Sequence, residues 1–343
     1  MARLKADVVA DRVPKKVSEM AANVRSNDRR AVAQAITLIE STHPDHRANA
    51  EQLLASLLGD TGNAIRLGIS GPPGVGKSTY IETLGLYLIG SDHKVAILTI
   101  DPTSARSGGS VLGDKTRMER LAKETNVFIR PSPSGGSLGG VARRTREVML
   151  VCEAAGYDIV IVETVGVGQS EIAVRDMVDM FILLTQPASG DELQGIKRGV
   201  VEIADLLLVN KADGELLTAA ERTRTDYTNA LRLLRPVSPG WTTPALTCSA
   251  LHEIGVDATW STVEDYRAMM KKNGAFDQRR RNQAVAWMWA EIKDTLNERF
   301  RADPVVATKI NDLETQVANG TLAPATGAQA LLAAFLRDNP LRP

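Results

Sequence analysis

The chain has 343 residues, 43% of them apolar, and its 41 Lys and Arg are balanced by 41 Asp and Glu. That length holds one large α/β domain with helical additions, and the balance gives no electrostatic footprint for capturing nucleic acid or an anionic membrane. No apolar run approaches the ~18 residues of a membrane span, and the only two cysteines, Cys152 and Cys248, lie far apart in apolar surroundings, as reduced thiols in a reducing compartment do.

The first residues, Met1 to Asp7, lack an apolar signal core and are not acid-poor. Neither a secretory nor a transit signal is expected, and the expected location is cytoplasmic. Residues 1–62 are helical in pattern and form an N-terminal extension. Val32, Ile36 and Ile39 repeat at helical spacing, and Leu53, Leu54, Leu57 and Leu58 form a second face that ends near Gly59. Between them His43-Pro44-Asp45-His46 reads as a turn. With no third ligand nearby, the His-x-x-His pair reads as solvated loop rather than metal site.

Residues 63–275 alternate apolar runs with helical stretches. The runs are 65–70, 95–100, 127–130, 158–163, 180–185, 205–209 and 244–248. Several are apolar almost throughout, as strands covered by helices on both faces are. The alternation predicts an α/β fold with a doubly wound, mostly parallel sheet. Ligands of such sheets sit just past the carboxyl ends of the strands.

After the first run comes Gly71-Pro72-Pro73-Gly74-Val75-Gly76-Lys77-Ser78-Thr79, a complete phosphate-binding P-loop between a predicted strand and a predicted helix. Glycines let successive N–H groups turn toward a phosphate, and the helix N-terminus adds partial positive charge. Lys77 is expected at the β- and γ-phosphates, and the Ser78 hydroxyl on Mg²⁺.

The second run ends at Asp101-Pro102-Thr103-Ser104, followed by the glycine-bearing segment 107–118. The fourth run ends in Glu163, and an apolar strand ending in a carboxylate is a Walker B signal. Asp101 and Glu163 are expected near the metal. Asp114 is a candidate either for the metal or for orienting the attacking water, and Gln169 is a further candidate for the water. Gly166 follows at the spacing where an N–H can bond a γ-phosphate, and hydrolysis would remove that bond.

Further on, Asn210-Lys211-Ala212-Asp213 stands at the end of another apolar run and matches the guanine-reading N-K-x-D pattern. The Asp213 carboxylate can accept from both guanine N1–H and the 2-amino group. Adenine would leave that carboxylate unpaired, a discrimination of roughly 10⁴ in sites built this way. Asn210 would address the O6/N7 edge, and the Lys211 stem would cover the base plane. Ser249-Ala250-Leu251 resembles the loop that completes such a pocket.

Residues 276–343 are helical throughout, with apolar surface left either for a partner, as in a dimerisation arm, or for packing against the main domain. Ala284, Met288, Ile292, Leu296 and Phe300 step by four, and Pro304 and Pro324 stand where helices start. Trp287 and Trp289 project to different sides of one helix, and the run Arg279-Arg280-Arg281 reads as a solvated face.

The P-loop, D-P-T-S at 101–104, G-G-S-V-L-G-D-K-T-R-M at 108–118, E-T-V-G-V-G-Q-S-E at 163–171, Q-P-A-S-G-D-E-L-Q-G-I-K-R-G at 186–199 and N-K-A-D at 210–213 together resemble the MeaB/ArgK/MMAA family, in the SIMIBI class of P-loop GTPases. The likeness runs from roughly residue 17 to the C-terminus. It implies a homodimeric GTPase chaperone of an adenosylcobalamin-dependent acyl-CoA mutase, usually methylmalonyl-CoA mutase, with GTP or GDP and Mg²⁺ as ligands. Such a protein gates delivery of adenosylcobalamin and protects the mutase. The resemblance also implies that 101–118 is switch I, 163–176 switch II and 186–199 a partner-sensing third switch. Nickel-inserting relatives within the class carry His-rich or Cys-containing motifs, which this chain with four scattered histidines lacks. Two rival readings are an ATP- or GTP-dependent kinase tied to amino-acid transport and a protein-targeting GTPase with negligible turnover. Asn210 and Asp213 argue against an adenine site. Neutral charge and nine scattered methionines argue against a surface for RNA or signal peptides.

Overall fold

All seven apolar runs become strands of one sheet: β1 (Ile65–Ser70), β2 (Val95–Ile100), β3 (Val127–Ser132), β4 (Ile159–Thr164), β5 (Met180–Thr185), β6 (Leu206–Val209) and β7 (Ala245–Thr247). Every pairing is parallel, in the order β3-β2-β4-β1-β5-β6-β7. The structure, a computed structural model, describes residues 14–41, 43–100, 118–132, 138–164, 170–187 and 198–337. The residues of β1, β2, β4, β5 and β6 are buried throughout, which accounts for the nearly continuous apolar runs of β2, β4, β5 and β6; in β1 the buried Arg66 is paired with Glu153. Each fully buried Leu or Ile of this core contributes about 1.5–3 kcal/mol. Pro131, which has no N–H to give a ladder, sits in the edge strand β3, where sheets tolerate proline.

The order places β1 between β4 and β5. From β1 the chain runs out to β2 and β3, returns through β4, and then builds β5, β6 and β7 on the other side. The winding therefore reverses beside β1, and a crevice opens at the carboxyl ends of strands where that happens.

Among the described residues three helices precede the sheet: α1 (Lys15–Arg25), α2 (Arg29–Glu40) and α3 (Pro44–Leu57). They pack on one another and on α5 (Leu138–Ala154); α4 (Lys77–Gly90) follows β1. Asp28 caps α2 by accepting from the N–H groups of Arg30 and Ala31, a device worth about 1 kcal/mol. Val32, Ala35, Ile36 and Ile39 form its buried stripe. The expected turn at 43–46 is instead the start of α3. His43 is its N-cap, with Nδ1 accepting from the Asp45 N–H at 3.3 Å. Pro44 takes the first helical position, where its missing N–H leaves no bond unmade. Leu58, expected on an apolar face, is exposed in the 3₁₀ turn that follows α3.

The remaining helices are α6 (Ser170–Arg175), α7 (Arg198–Glu202), α8 (Leu217–Arg232), α9 (Val256–Lys272), α10 (Ala275–Ala302), α11 (Pro304–Ala318) and α12 (Pro324–Arg337). Among the described residues no helix is long and apolar enough to cross a membrane. The chain divides into two units at Gln283 and Ala284.

Within the first unit, the opening turns of α10 carry a correction. Arg279 and Arg280 are not a solvated face. Arg280 makes a two-pronged bond to Asp179, Nε to Oδ1 at 2.9 Å and Nη2 to Oδ2 at 2.6 Å. It also donates to the carbonyls of Gly62 and Ala64 and lies over the Phe276 ring. Arg279 donates to the Tyr266 hydroxyl at 2.6 Å and lies 3.9 Å from Asp205. Asp205 is buried, and burial raises its carboxyl pKa against the opposing pull of the Arg175 guanidinium. Asp179 and Asp205 immediately precede β5 and β6, so both clasps sit at the amino ends of the strands. Of the three arginines, Arg281 is the exposed one.

The second unit comprises the rest of α10 with α11 and α12. Asp303 caps α11 through the N–H groups of Val305 and Val306, directly before Pro304. Phe300 and Phe335 meet edge to face at 5.4 Å. Val285, Met288, Trp289, Ile292 and Leu296 are exposed along α10, whereas Trp287 is half-buried.

Candidate functional site

The P-loop joins β1 to α4 at the carboxyl edge of the sheet. Gly74 and Gly76 have φ of +78° and +92°, left-handed values that glycine adopts without strain. Gly76 is the N-cap residue of α4, so the loop delivers Lys77 and Ser78 into the first turn, where orphan N–H groups point outward. Val75 is fully buried and anchors the loop, while Pro73, Gly74 and Thr79 are exposed. The Lys77 ammonium donates to the carbonyls of Gly71 at 2.7 Å and Pro72 at 3.1 Å, curled over its own loop. Gly71 admits no side chain, because a Cβ there would lie 2.5 Å from the Leu184 carbonyl oxygen.

Beside the loop, β4 brings Glu163 to Ser78. The Ser78 hydroxyl donates to Glu163 Oε1 at 3.3 Å. The neighbouring Thr164 hydroxyl donates to Ser70 Oγ at 2.7 Å, locking the ends of β4 and β1 together. A hydroxyl and a buried carboxylate are hard oxygen donors of the kind Mg²⁺ takes, so the pair suits that ion. Asp101, Asp114, Gly166 and Gln169 lie outside the described residues. Among the described residues no group of three His, Cys, Asp or Glu side chains could hold a metal ion.

The guanine-reading residues converge on the same edge. Asn210 is buried and ties three segments together. Its Nδ2 donates to Val75 O at 2.9 Å, and its Oδ1 accepts from Ala250 N at 3.0 Å and from the Cys248 thiol at 3.4 Å. Its amide therefore holds the P-loop against the loop after β7. Lys211, with φ of +62°, turns its side chain back so that Nζ donates to Gly74 O at 2.7 Å. Asp213 Oδ2 accepts a short bond from the Ser249 hydroxyl, which fixes the carboxylate plane. Ser249 and Ala250 are buried, and Leu251 is 74% exposed.

Several contributors had no nucleotide role assigned from the sequence. Thr83, one turn further along α4, donates to Ala250 O at 2.9 Å and so braces the loop after β7 against the P-loop helix. His252 places Nε2 4.0 Å from Asp213 Oδ1 and donates its N–H to Ser249 Oγ. Gln186, at the exit of β5, accepts from Lys211 Nζ at 3.1 Å. Gly68 in β1 leaves room for α6, since a Cβ there would meet Val174 at 2.8 Å. Cys248 and Cys152 are free, buried thiols. Burial pushes the Cys248 thiol pKa up to about 12 and raises that of Cys152 as well. Most of the segment 186–199, residues 188–197, lies outside the described residues.

Comparison with known proteins gives this arrangement a family. The model of the family described as methylmalonyl Co-A mutase-associated GTPase MeaB matches residues 32–305. A Caulobacter vibrioides protein named as a GTPase is 54% identical over 310 residues, covering 90% of this chain and 95% of its own. The mouse protein named methylmalonic aciduria type A homolog, mitochondrial, is 43% identical over 337 residues, covering 95% of this chain and 81% of its own. A crystal structure described as LAO/AO transport system kinase superposes with a TM-score of 0.74 at 39% identity, covering 94% of this chain and 97% of the other.

Proposed function

We propose, for a chain that belongs to the MeaB family of methylmalonyl-CoA mutase-associated GTPases, that GTP hydrolysis here serves an adenosylcobalamin-dependent acyl-CoA mutase, most directly methylmalonyl-CoA mutase. In this reading the protein is a chaperone whose nucleotide state gates adenosylcobalamin delivery and protects the mutase. The supporting observation is the family description itself, joined by the name of the mouse relative.

The chemistry assigned to the residues follows from their positions. The backbone N–H groups of residues 74–79 and the Lys77 ammonium bind phosphate. Asp213, oriented by Ser249, accepts from the guanine edge, and Asn210 addresses the O6/N7 edge. Lys211 covers the base. Ser78 and Glu163 would hold Mg²⁺, which supplies charge neutralisation between phosphate oxygens. Asp101, Asp114 and Gly166 are assigned to the same centre on sequence alone. The residues 1–62, 63–275 and 276–343 are assigned as N-terminal extension, nucleotide domain and dimerisation arm. The exposed apolar row Val285, Met288, Trp289, Ile292 and Leu296 supports a homodimer, since a row of that kind on one helix is a surface for a partner. Cytoplasmic action is part of the proposal.

The test measures GTP hydrolysis by the purified chain with and without purified acyl-CoA mutases, together with a pull-down in each nucleotide state. Stimulation and nucleotide-dependent capture by methylmalonyl-CoA mutase are expected. A rate unchanged by every mutase overturns the chaperone reading and leaves the GTPase. A kinase reading draws on the description of the superposed structure. It predicts ATP binding in competition with GTP and a phosphorylated acceptor. The Asp213–Ser249 pair favours guanine.

A further inference from the structure

Lys211 reaches two oxygens that belong to different parts of the nucleotide edge. One is the Gly74 carbonyl of the P-loop at 2.7 Å, and the other is Gln186 Oε1 at the exit of β5, at 3.1 Å. An ammonium only donates, so the pairing compels the oxygen of the Gln186 amide, not its nitrogen, to face Lys211. The backbone is committed to the same end. Lys211 holds φ of +62°, a value uncommon for a residue with a side chain, and this turns the stem back across the loop. Directly before it, the Asn210 N–H donates to the Thr185 carbonyl at 2.8 Å, so the two chain segments are already in contact there. Lysine is long and loses much side-chain freedom when fixed. One partly exposed bond to Gly74 leaves the ammonium free to swing about that point. Two anchors on separate segments fix the ammonium, and with it the far end of the stem.

We propose that Gln186 is a nucleotide-positioning residue: its side-chain oxygen is the second anchor that holds the Lys211 stem across the base. The proposal rests on the reading that Lys211 covers the guanine plane. The Gln186 side chain is bonded to Lys211 of the base-reading loop, so its effect is expected on retention of the nucleotide and not on the bond-breaking step. Because the base is common to GDP and GTP, both are held through the same strut.

The test follows release of a fluorescent GDP analogue by stopped flow, together with kcat and KM for GTP, in the full-length chain. Gln186→Met keeps the length of the side chain and removes the acceptor. It is expected to speed release about three- to tenfold, the loss of one partly exposed bond to a charged group, and to raise KM while kcat stays within about twofold. Gln186→Glu restores an acceptor and adds charge, and is expected to release the nucleotide no faster than the native chain. Lys211→Met alone is expected to speed release, and adding Gln186→Met to it is expected to change nothing more. Release from Gln186→Met at the native rate, or an effect that adds in full to that of Lys211→Met, overturns the positioning role. Native release from Lys211→Met overturns the base-covering reading itself, and the strut with it.

Discussion

A Cβ on Gly76 would lie 2.6 Å from the side-chain nitrogen of Asn210. The phosphate loop and the base-reading loop thus touch at a point where only hydrogen fits. Asn210 cannot retreat cheaply, because its amide is bonded to Val75, Ala250 and Cys248. Gly76→Ala is expected to weaken GTP and GDP binding together, by about tenfold or more, through left-handed strain of roughly 1–2 kcal/mol and the displaced amide. Calorimetry giving native affinity for both nucleotides would show that the two loops yield without cost.

Lys77→Ala removes the charge that the P-loop brings to the phosphates. A buried charge pair broken on one side loses about 2–5 kcal/mol, so GTP affinity is expected to fall about a hundredfold. Circular dichroism unchanged alongside that loss would place the effect in binding. Native affinity would refute the assignment of this loop to phosphate.

Asp213→Asn exchanges one acceptor oxygen for a donor that opposes the guanine edge. Xanthosine triphosphate, with a carbonyl at C2, is expected to gain on GTP by about a hundredfold or more. Ser249→Ala is expected to weaken GTP without altering the choice, because the carboxylate keeps its charge and loses only its orientation. Undiminished GTP preference in Asp213→Asn would mean that Asp213 does not read the base.

Glu163→Gln keeps a hydrogen-bond acceptor for Ser78 and removes the charge. Magnesium-dependent GTP hydrolysis is expected to fall by about tenfold or more while GDP affinity changes little, since the charge matters most where metal and γ-phosphate meet. Equal losses in the two measurements would make Glu163 a structural residue of the strand end.

Where the chain is cut decides what a truncation reports. A chain ending at Gln283 keeps Arg279 and Arg280 on Asp205 and Asp179, and is expected to bind GTP as the full chain does. A chain ending at Phe276 takes Arg280 away from Asp179, which keeps the Arg66 N–H, while Asp205 retains Arg175; it is expected to be less stable by about 3 kcal/mol, the cost of breaking the one buried pair. Denaturant melts of equal midpoint would sink the anchoring argument. Sedimentation of the longer fragment tests the arm separately: a persisting dimer would move the interface onto the first unit.

Much of this arrangement is visible in the sequence because its causes are local. Strand β1, the glycine loop and the start of α4 are contiguous, and each residue type answers a backbone need within a few positions. Most of the buried strands announce themselves as nearly unbroken apolar runs because helices cover both faces of the sheet. Arg279 and Arg280 misled for the opposite reason. Their partners, Asp179 and Asp205, lie in distant strands' leading residues, and a run of arginines on a helix carries no mark of being met. His43-Pro44 looked like a turn because the same residues that end a chain segment also start a helix. Thr83 has no motif, and Gln186 stands in the sequence only as the first residue of the segment 186–199; each acts here through a pairing that folding creates.

Cys248 makes the base loop observable without a label. Its thiol is buried, hydrogen-bonded to Asn210 and pushed up to a pKa of about 12, so an alkylating reagent meets almost no thiolate until the loop opens. Cys152, buried in α5, is an internal reference for opening elsewhere in the same molecule. The ratio of the two alkylation rates, followed by mass spectrometry as GTP or GDP is added, would give the opening frequency of the guanine pocket in the native chain, with every residue of the site left as it is.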